Sequence, residues 1–314
     1  MRAEPNLFEL CRVSSKSVEQ ICEDMRAEPS LFELCQLSNN IIFKNFDKQN
    51  TMSKTICKNT KILCLILMVF LFINLSAQSQ DLLNKVRAND LNAVKELIDA
   101  GADVNMQDDM MGYTPLILSV LGEHKEMAEL LISKGADINI QDNRTGYTPL
   151  MLALNSNKTE MAELLLEKGA DFKIKANDGA TALILACGAS PEIAKNLLQK
   201  GADIHARTDK GLGVFSQCIT MGMMRGNEAI TPEFAEFLLS KGADIDEKNT
   251  MGGYKGYTPL FWATLYGEAD IVKFLAEKGA EVNAVAEGGK TPLSIASEAG
   301  NENIVEILKS HGAK

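Results

Sequence analysis

Apolar residues from position 82 onward recur with the spacing of short amphipathic helices. Leu82, Leu83 and Val86 lie on one face of a first predicted helix at i, i+3 and i+4 spacing. Residues 91–98 repeat that spacing in a second predicted helix, which stops at Gly101. Similar pairs of apolar segments follow along the rest of the chain, so the pattern predicts an all-α protein built from repeated helix pairs.

Two short sequence elements mark these pairs. A Gly-Ala dipeptide ends the second helix, with gaps of 34, 34, 32, 41, 37 and 33 residues, at Gly101, Gly135, Gly169, Gly201, Gly242, Gly279 and Gly312. A Thr-Pro-Leu element opens the first helix, in phase with the glycines, at Thr114, Thr148, Thr258 and Thr291, and as Thr-Ala-Leu at Thr181. Threonine supplies an N-cap oxygen, proline fits the first helical position, and glycine ends a helix in the left-handed conformation.

The period near 33 and the Thr-Pro-Leu element resemble the ankyrin repeat. The resemblance covers about residues 80–314. It implies an all-α ankyrin-repeat solenoid of about seven stacked helix-turn-helix units with protruding β-turn or hairpin loops. For function it implies a non-catalytic protein–protein interaction module, which binds another protein through its loop tips and concave face.

The fourth unit departs most from the repeat pattern. Gly213-Val214-Phe215 replaces Thr-Pro-Leu, and eight extra residues fall within Met221–Ile230. This insertion is rich in Met and Gly. Two interpretations remain open: a flexible contact segment, since Met adapts to irregular surfaces, and a tolerated loop.

The segment before the repeats has two parts. Residues 1–51 contain a near-exact duplication of MRAEPNLFELC, and we expect a leader that is disordered or untranslated. Residues 52–77 combine three lysines with the 14-residue apolar run Ile62–Leu75 and end in Ala77. This is typical of a secretory signal peptide and short for a membrane span of ~20 residues. We therefore expect translation from Met52 and a periplasmic or secreted repeat domain of residues 78–314; the alternative is an uncleaved anchor.

Charge and polar chemistry narrow the possible functions. The chain has 42 acidic and 32 basic residues; residues 78–314 hold 34 and 23 of them, a balance of −11. Such an acidic body argues against nucleic-acid binding. His124, His205 and His311 lie in three different repeats, and no metal-ligand spacing, phosphate loop or nucleophile motif appears. We predict no enzyme activity, no cofactor and no metal.

Cys187 and Cys218 occupy core positions of adjacent first helices. We expect buried free thiols there, with a disulfide as the alternative.

Large apolar and tyrosine side chains fall at positions where the family faces a partner. Tyrosine is enriched in protein interfaces because it offers large contact area at low entropic cost. The predicted partner-binding residues lie just before the Thr-Pro-Leu threonine, at loop tips, or at the ends of first helices: Met110, Met111, Tyr113, Leu121, Tyr147, Leu212, Tyr254, Tyr257 and Tyr266. The alternative is that a tyrosine before the threonine only packs on the next loop.

Alternative roles depend on the segment before the repeats. An uncleaved Ile62–Leu75 would make the protein a membrane-anchored structural or regulatory scaffold, and only then would it contact a membrane. An exported domain could also be an accessory protein of an envelope enzyme, by analogy of fold and compartment.

Overall fold

A computed structural model describes residues 80–224, 230–250 and 252–314, which form paired helices. The first pair is α1 (80–87) and α2 (Leu91–Asp99). The later pairs are α3 (Pro115–Leu121) and α4 (Lys125–Ser133), α5 (Pro149–Asn155) and α6 (Thr159–Glu167), α7 (Ala182–Ala189) and α8 (Pro191–Gln199), α9 (Val214–Met224) and α10 (Pro232–Ser240), α11 (Pro259–Tyr266) and α12 (Ala269–Glu277), and α13 (Pro292–Glu298) and α14 (Glu302–Ser310).

Two predicted segments fall outside these residues: the leader at 1–51 and the signal-peptide-like segment at 52–77. Positions 225–229 of the predicted Met221–Ile230 insertion also fall outside them. Within the described ranges, no helix has both the length and the apolar character needed to cross a bilayer.

The helices stack in the manner of a solenoid. We call the odd-numbered helices first helices and the even-numbered ones second helices. From α3 onward each first helix packs on the next first helix, and the helices of a pair pack on each other in the pairs α3–α4, α5–α6, α7–α8, α11–α12 and α13–α14. Buried side chains form one core cluster from Leu82 to Leu308. The prediction of an all-α solenoid of about seven helix pairs is confirmed, with seven helix pairs in the described part of the chain.

Local hydrogen bonds explain why each pair forms. The Thr114 hydroxyl accepts a hydrogen bond from the Ile117 N–H at 3.1 Å, and proline occupies the first helical position of α3. Such a cap pairs one of the four N–H groups that a helix start leaves unpaired. After α4, Gly135 has a φ of +90°, which a side chain would strain.

Polar side chains join neighbouring loops into a ladder. The Asp137 carboxylate accepts a bond from the Asn139 N–H at 2.9 Å, and the Asn139 oxygen accepts one from the Asp171 N–H of the next loop at 2.9 Å. The same two-step contact joins Asp103 and Asn105 to the loop of Asp137. The aspartates of Gly-Ala-Asp therefore hold the turns.

Helix α9, the first helix of the fourth unit, is capped by a residue from another repeat. In place of a cap threonine, Oε1 of Glu247 accepts the Ser216 N–H at 2.7 Å. A Cβ on Gly213 would stand 1.9 Å from Oε2 of Glu247, so only glycine leaves room for the carboxylate. Burial raises the pKa of Glu247, although hydrogen bonds from Ser216 and the charge of Arg207 oppose that shift.

The two repeat-domain cysteines form a disulfide. Cys187 on α7 and Cys218 on α9 are bonded, with Cα atoms 4.6 Å apart, inside the range that a disulfide spans. The expectation of two free thiols was wrong. Because α7 and α9 are adjacent first helices in contact, both thiols point into the same narrow space.

Candidate protein-binding surface

The first helices carry almost no charge. We define the first-helix face as helices α3, α5, α7, α9, α11 and α13 together with the residue before the cap position of α3, α5, α7 and α9. These six helices contain one charged residue, Glu298. The seven second helices contain 14 acidic and five basic residues, a balance of −9. Most of the −11 of residues 78–314 therefore lies on the second helices.

The predicted contact residues differ in exposure. At the loop tips, the side chains of Met110 and Tyr254 are 89% and 50% exposed. Six others are half-buried: Met111, Tyr113, Leu121, Tyr147, Leu212 and Tyr266. A half-buried apolar side chain is held in place by the core and still offers part of its surface to a partner.

Tyr113, Tyr147 and Leu212 share one position in their repeats, directly before the cap residue. Because α3, α5, α7 and α9 stack in order, the structure places these three side chains along one line across the first-helix face. The third repeat contributes Ala180 at this position, which is buried. The line is thus interrupted by one small residue.

Tyr257 does not follow the prediction. Its side chain is only 4% exposed, and its ring lies 4.7 Å from Phe261, 5.3 Å from Trp262 and 5.3 Å from Tyr254, measured between ring centroids. Phenylalanine and tryptophan in α11 stand where α3 has Ile117 and Leu118, and these larger rings cover Tyr257. The alternative prediction was a tyrosine that packs on the next loop. Tyr257 instead packs on aromatic rings of its own repeat, and we exclude it from the surface.

Trp262 is a residue that sequence reasoning missed. It stands four residues after its cap threonine, on the first-helix face, between Tyr254 at 5.0 Å and Tyr266 at 6.2 Å. It is the single tryptophan of the chain, which could have drawn attention to it. Leu265 and Val285, which are 40% and 61% exposed, were missed as well.

The tyrosine hydroxyls at both ends of the face stay protonated. Burial raises the pKa of Tyr113, and the negative charges of Asp142 and Asp108 add to that effect. Burial also raises the pKa of Tyr266, with a further contribution from Tyr254. A protonated phenol can donate and accept a hydrogen bond, so both residues combine apolar area with a polar group.

The turn aspartates and Glu247 use their hydrogen bonds to hold backbone groups of the fold. The turn aspartates bind backbone N–H groups, and Glu247 caps α9. Among the described residues, no three His, Cys, Asp or Glu side chains gather closely enough to hold a metal ion. The first-helix face offers apolar area, aromatic rings and neutral hydrogen-bonding groups.

The geometry defines a solenoid of helical repeats whose first-helix face carries little charge. The family model for ankyrin repeats (three copies) matches residues 82–176, 135–208 and 224–314, which is more than half of the chain. The chain belongs to the ankyrin-repeat family. Ankyrin repeats generally bind other proteins, and the fold is typically a non-catalytic interaction module.

Among solved structures, the chain is similar to the human ASB11 ankyrin repeat domain. The TM-score is 0.60 at 23% identity, over 74% of this chain and 98% of that domain. At this identity the likeness shows the fold alone.

Two curated proteins match short parts of the repeats. The serine/threonine-protein kinase VIK of Arabidopsis thaliana is 48% identical over 59 residues, 19% of this chain and 14% of the kinase. The human DNA-binding protein RFXANK is 44% identical over 46 residues, 15% of this chain and 18% of that protein. The matches thus span less than a fifth of either relative.

Proposed function

We propose that this protein is a non-enzymatic module that binds another protein through its first-helix face and adjacent loop tips. The line of Tyr113, Tyr147 and Leu212 is the observation that carries the proposal. Each side chain is half-buried at the same repeat position, so each is held by the core and still offers surface to a partner. Rigid aromatic anchors of this kind tend to supply most of the energy of a protein interface.

The distribution of charge supports the same surface. A protein interface is depleted in charged residues at its centre, and the first-helix face has one in six helices. The second helices carry the acidic residues by comparison. Nothing on either face is suited to a phosphate backbone, which needs clustered lysine and arginine.

The experiment compares Tyr113→Ala with Lys290→Ala. Lys290 occupies the corresponding position of the sixth repeat and is exposed, so it is a matched control. After cross-linking in the native compartment identifies the partner, calorimetric titration should show Tyr113→Ala weakened by roughly 2 kcal/mol and Lys290→Ala almost unchanged.

The melting temperature of each variant separates binding from folding. We expect Tyr113→Ala to melt close to the wild type, because its ring is only half-buried. A variant that binds normally and melts early would show that Tyr113 packs the repeat and contacts no partner.

We also propose that the repeat domain is exported and acts in the periplasm or outside the cell. The signal-peptide-like residues 52–77 motivate this, and the Cys187–Cys218 disulfide supports it because disulfides persist in oxidising compartments. The intact mass of the natural product, measured without reductant, should correspond to a chain beginning near Gln78 that contains one disulfide. A retained Ile62–Leu75 segment would favour the anchored scaffold instead.

A further inference from the structure

One position of the first helices is leucine in three repeats and carries a polar group in two others. Four residues after the cap, α3, α5 and α7 carry leucines, at Leu118, Leu152 and Leu185. At the same position α9 carries Gln217 and α11 carries Trp262. Since α9 and α11 are in contact, these two polar side chains occupy equivalent positions on adjacent helices.

One polar atom of each side chain is left unpaired. Among the described residues, six buried side-chain atoms have no hydrogen-bond partner: the Trp262 Nε1–H, the Gln217 Oε1, and the hydroxyls of Thr208, Ser216, Thr258 and Thr264. An unpaired buried polar group costs about 1–3 kcal/mol, and native proteins contain few of them. Gln217 and Trp262 differ from the four hydroxyls because leucine fills their position in three other repeats at no such cost.

We propose that Gln217 and Trp262 form a recognition site for the backbone of an extended, uncharged segment of the protein partner. The indole N–H donates to a peptide carbonyl of that segment, and the glutamine side-chain oxygen accepts from a peptide N–H. This inference rests on the proposed function and specifies which chemistry the first-helix face recognises.

The spacing of the two groups suits an extended chain. Packed helices lie roughly 8–10 Å apart, and an extended chain advances about 3.3 Å per residue. Groups at the same position of α9 and α11 therefore meet peptide groups about three residues apart. The interior N–H groups of a helical segment are already paired with its own carbonyls, so an extended segment offers these two atoms more free peptide groups.

The surroundings exclude charged side chains from the contact. Helices α9 and α11 contain no charged residue, and the Trp262 ring is flanked by the rings of Tyr254 and Tyr266. A partner's lysine or glutamate brought onto this apolar area would lose its hydration without a counter-charge. The segment that fits is apolar or neutral, with its backbone facing the helices.

Tyr254 gives a route to the buried atoms. Its side chain is half exposed and lies on the 3₁₀ turn Gly252–Tyr254, with its ring 5.0 Å from that of Trp262. Binding of the segment requires this half-exposed ring to move aside from the indole. The partner segment then replaces Tyr254 as the neighbour of Trp262.

The test uses full-length protein and a phage-displayed library of random peptides. The variants are Gln217→Leu, which installs the residue of α3, α5 and α7, and Trp262→Phe, which keeps a ring and removes the N–H donor. We expect enriched peptides with uncharged cores, each bound about fivefold more weakly by either variant, the loss expected for one neutral hydrogen bond. Anisotropy of a labelled peptide measures the affinity.

Thermal melting distinguishes a binding role of these side chains from a purely structural role. Gln217→Leu should melt at or above the wild-type temperature, because it removes an unpaired polar atom, while its affinity falls. Equal affinity in the wild type and both variants overturns the inference, as does enrichment of peptides with charged cores or of none at all. Self-association that Trp262→Phe abolishes would identify a second copy as the occupant and overturn it too.

The proposed function is judged separately. Suppose that Tyr113→Ala weakens binding of the whole partner while Gln217→Leu and Trp262→Phe do not. That result would support the proposed interaction module and contradict the backbone site.

Discussion

Glu247 links the fourth and fifth repeats, and its removal gives the sharpest test of how the degenerate repeat folds. Glu247→Ala deletes the acceptor of the Ser216 N–H, whose residue is 1% exposed. Loss of a cap costs about 0.5–2 kcal/mol, and leaving a buried donor unpaired costs about 1–3 kcal/mol. The two ranges describe the same lost contact, so we expect a loss of about 2 kcal/mol. For a domain of this size that corresponds to a melting temperature about 4–8 °C lower.

Capping predicts a specific rescue. Gly213→Thr in the Glu247→Ala background restores the hydroxyl that caps α3 and α5, and it needs the space that the carboxylate vacates. Gly213→Ala in the same background is the matched control, since it adds a Cβ without an oxygen. Urea unfolding followed by circular dichroism should show recovery for threonine alone. Equal recovery with alanine, or no loss in Glu247→Ala, would refute the capping argument.

The pH dependence gives an independent check. Burial raises the pKa of Glu247 in the folded protein above its ordinary value of 4.5. A raised pKa means that the contribution to stability is full below the unfolded value and declines as pH rises through the folded value. Glu247→Gln keeps an oxygen acceptor and does not titrate. The wild type should therefore lose stability relative to Glu247→Gln as pH increases above 4.5; a constant difference would contradict the burial argument.

The two tyrosines of the fifth repeat should separate packing from exposure. Tyr257→Ala removes a buried ring from a cluster of aromatic side chains and should reduce the free energy of unfolding by about 3–5 kcal/mol in urea denaturation. Tyr254→Ala removes a ring that is 50% exposed and should cost less than half as much in the same assay. Equal losses would show that exposure does not distinguish these positions.

The repeat architecture was predictable because its signals are local. The Thr114 cap, Pro115 and Gly135 each act on the backbone within a few residues, so their spacing in the sequence specifies where helices begin and end. Glu247 shows the limit of that reasoning. It caps α9 across 34 positions, counted from Gly213 to Glu247. No local sequence pattern predicts a contact between residues so far apart.

The surface was predictable only in part. Repeat position correctly indicated that Tyr113 and Tyr147 are partly accessible, because their neighbours are aliphatic. Tyr257 shares that position, but its exposure depends on the size of the side chains at 261 and 262, which come to lie over it. The Cys187–Cys218 pairing depends similarly on how far α7 and α9 shift along each other, which sequence spacing does not specify.

The separation of charge between the two kinds of helix has a kinetic consequence. Charged surfaces accelerate encounter through long-range attraction, which acts over a screening length of about 8 Å at physiological salt. A face without charge lacks such steering, and docking onto it proceeds at roughly 10⁵–10⁶ M⁻¹s⁻¹. For the binding mode proposed here, affinity then depends mainly on the dissociation rate. Added salt has little influence on the association rate.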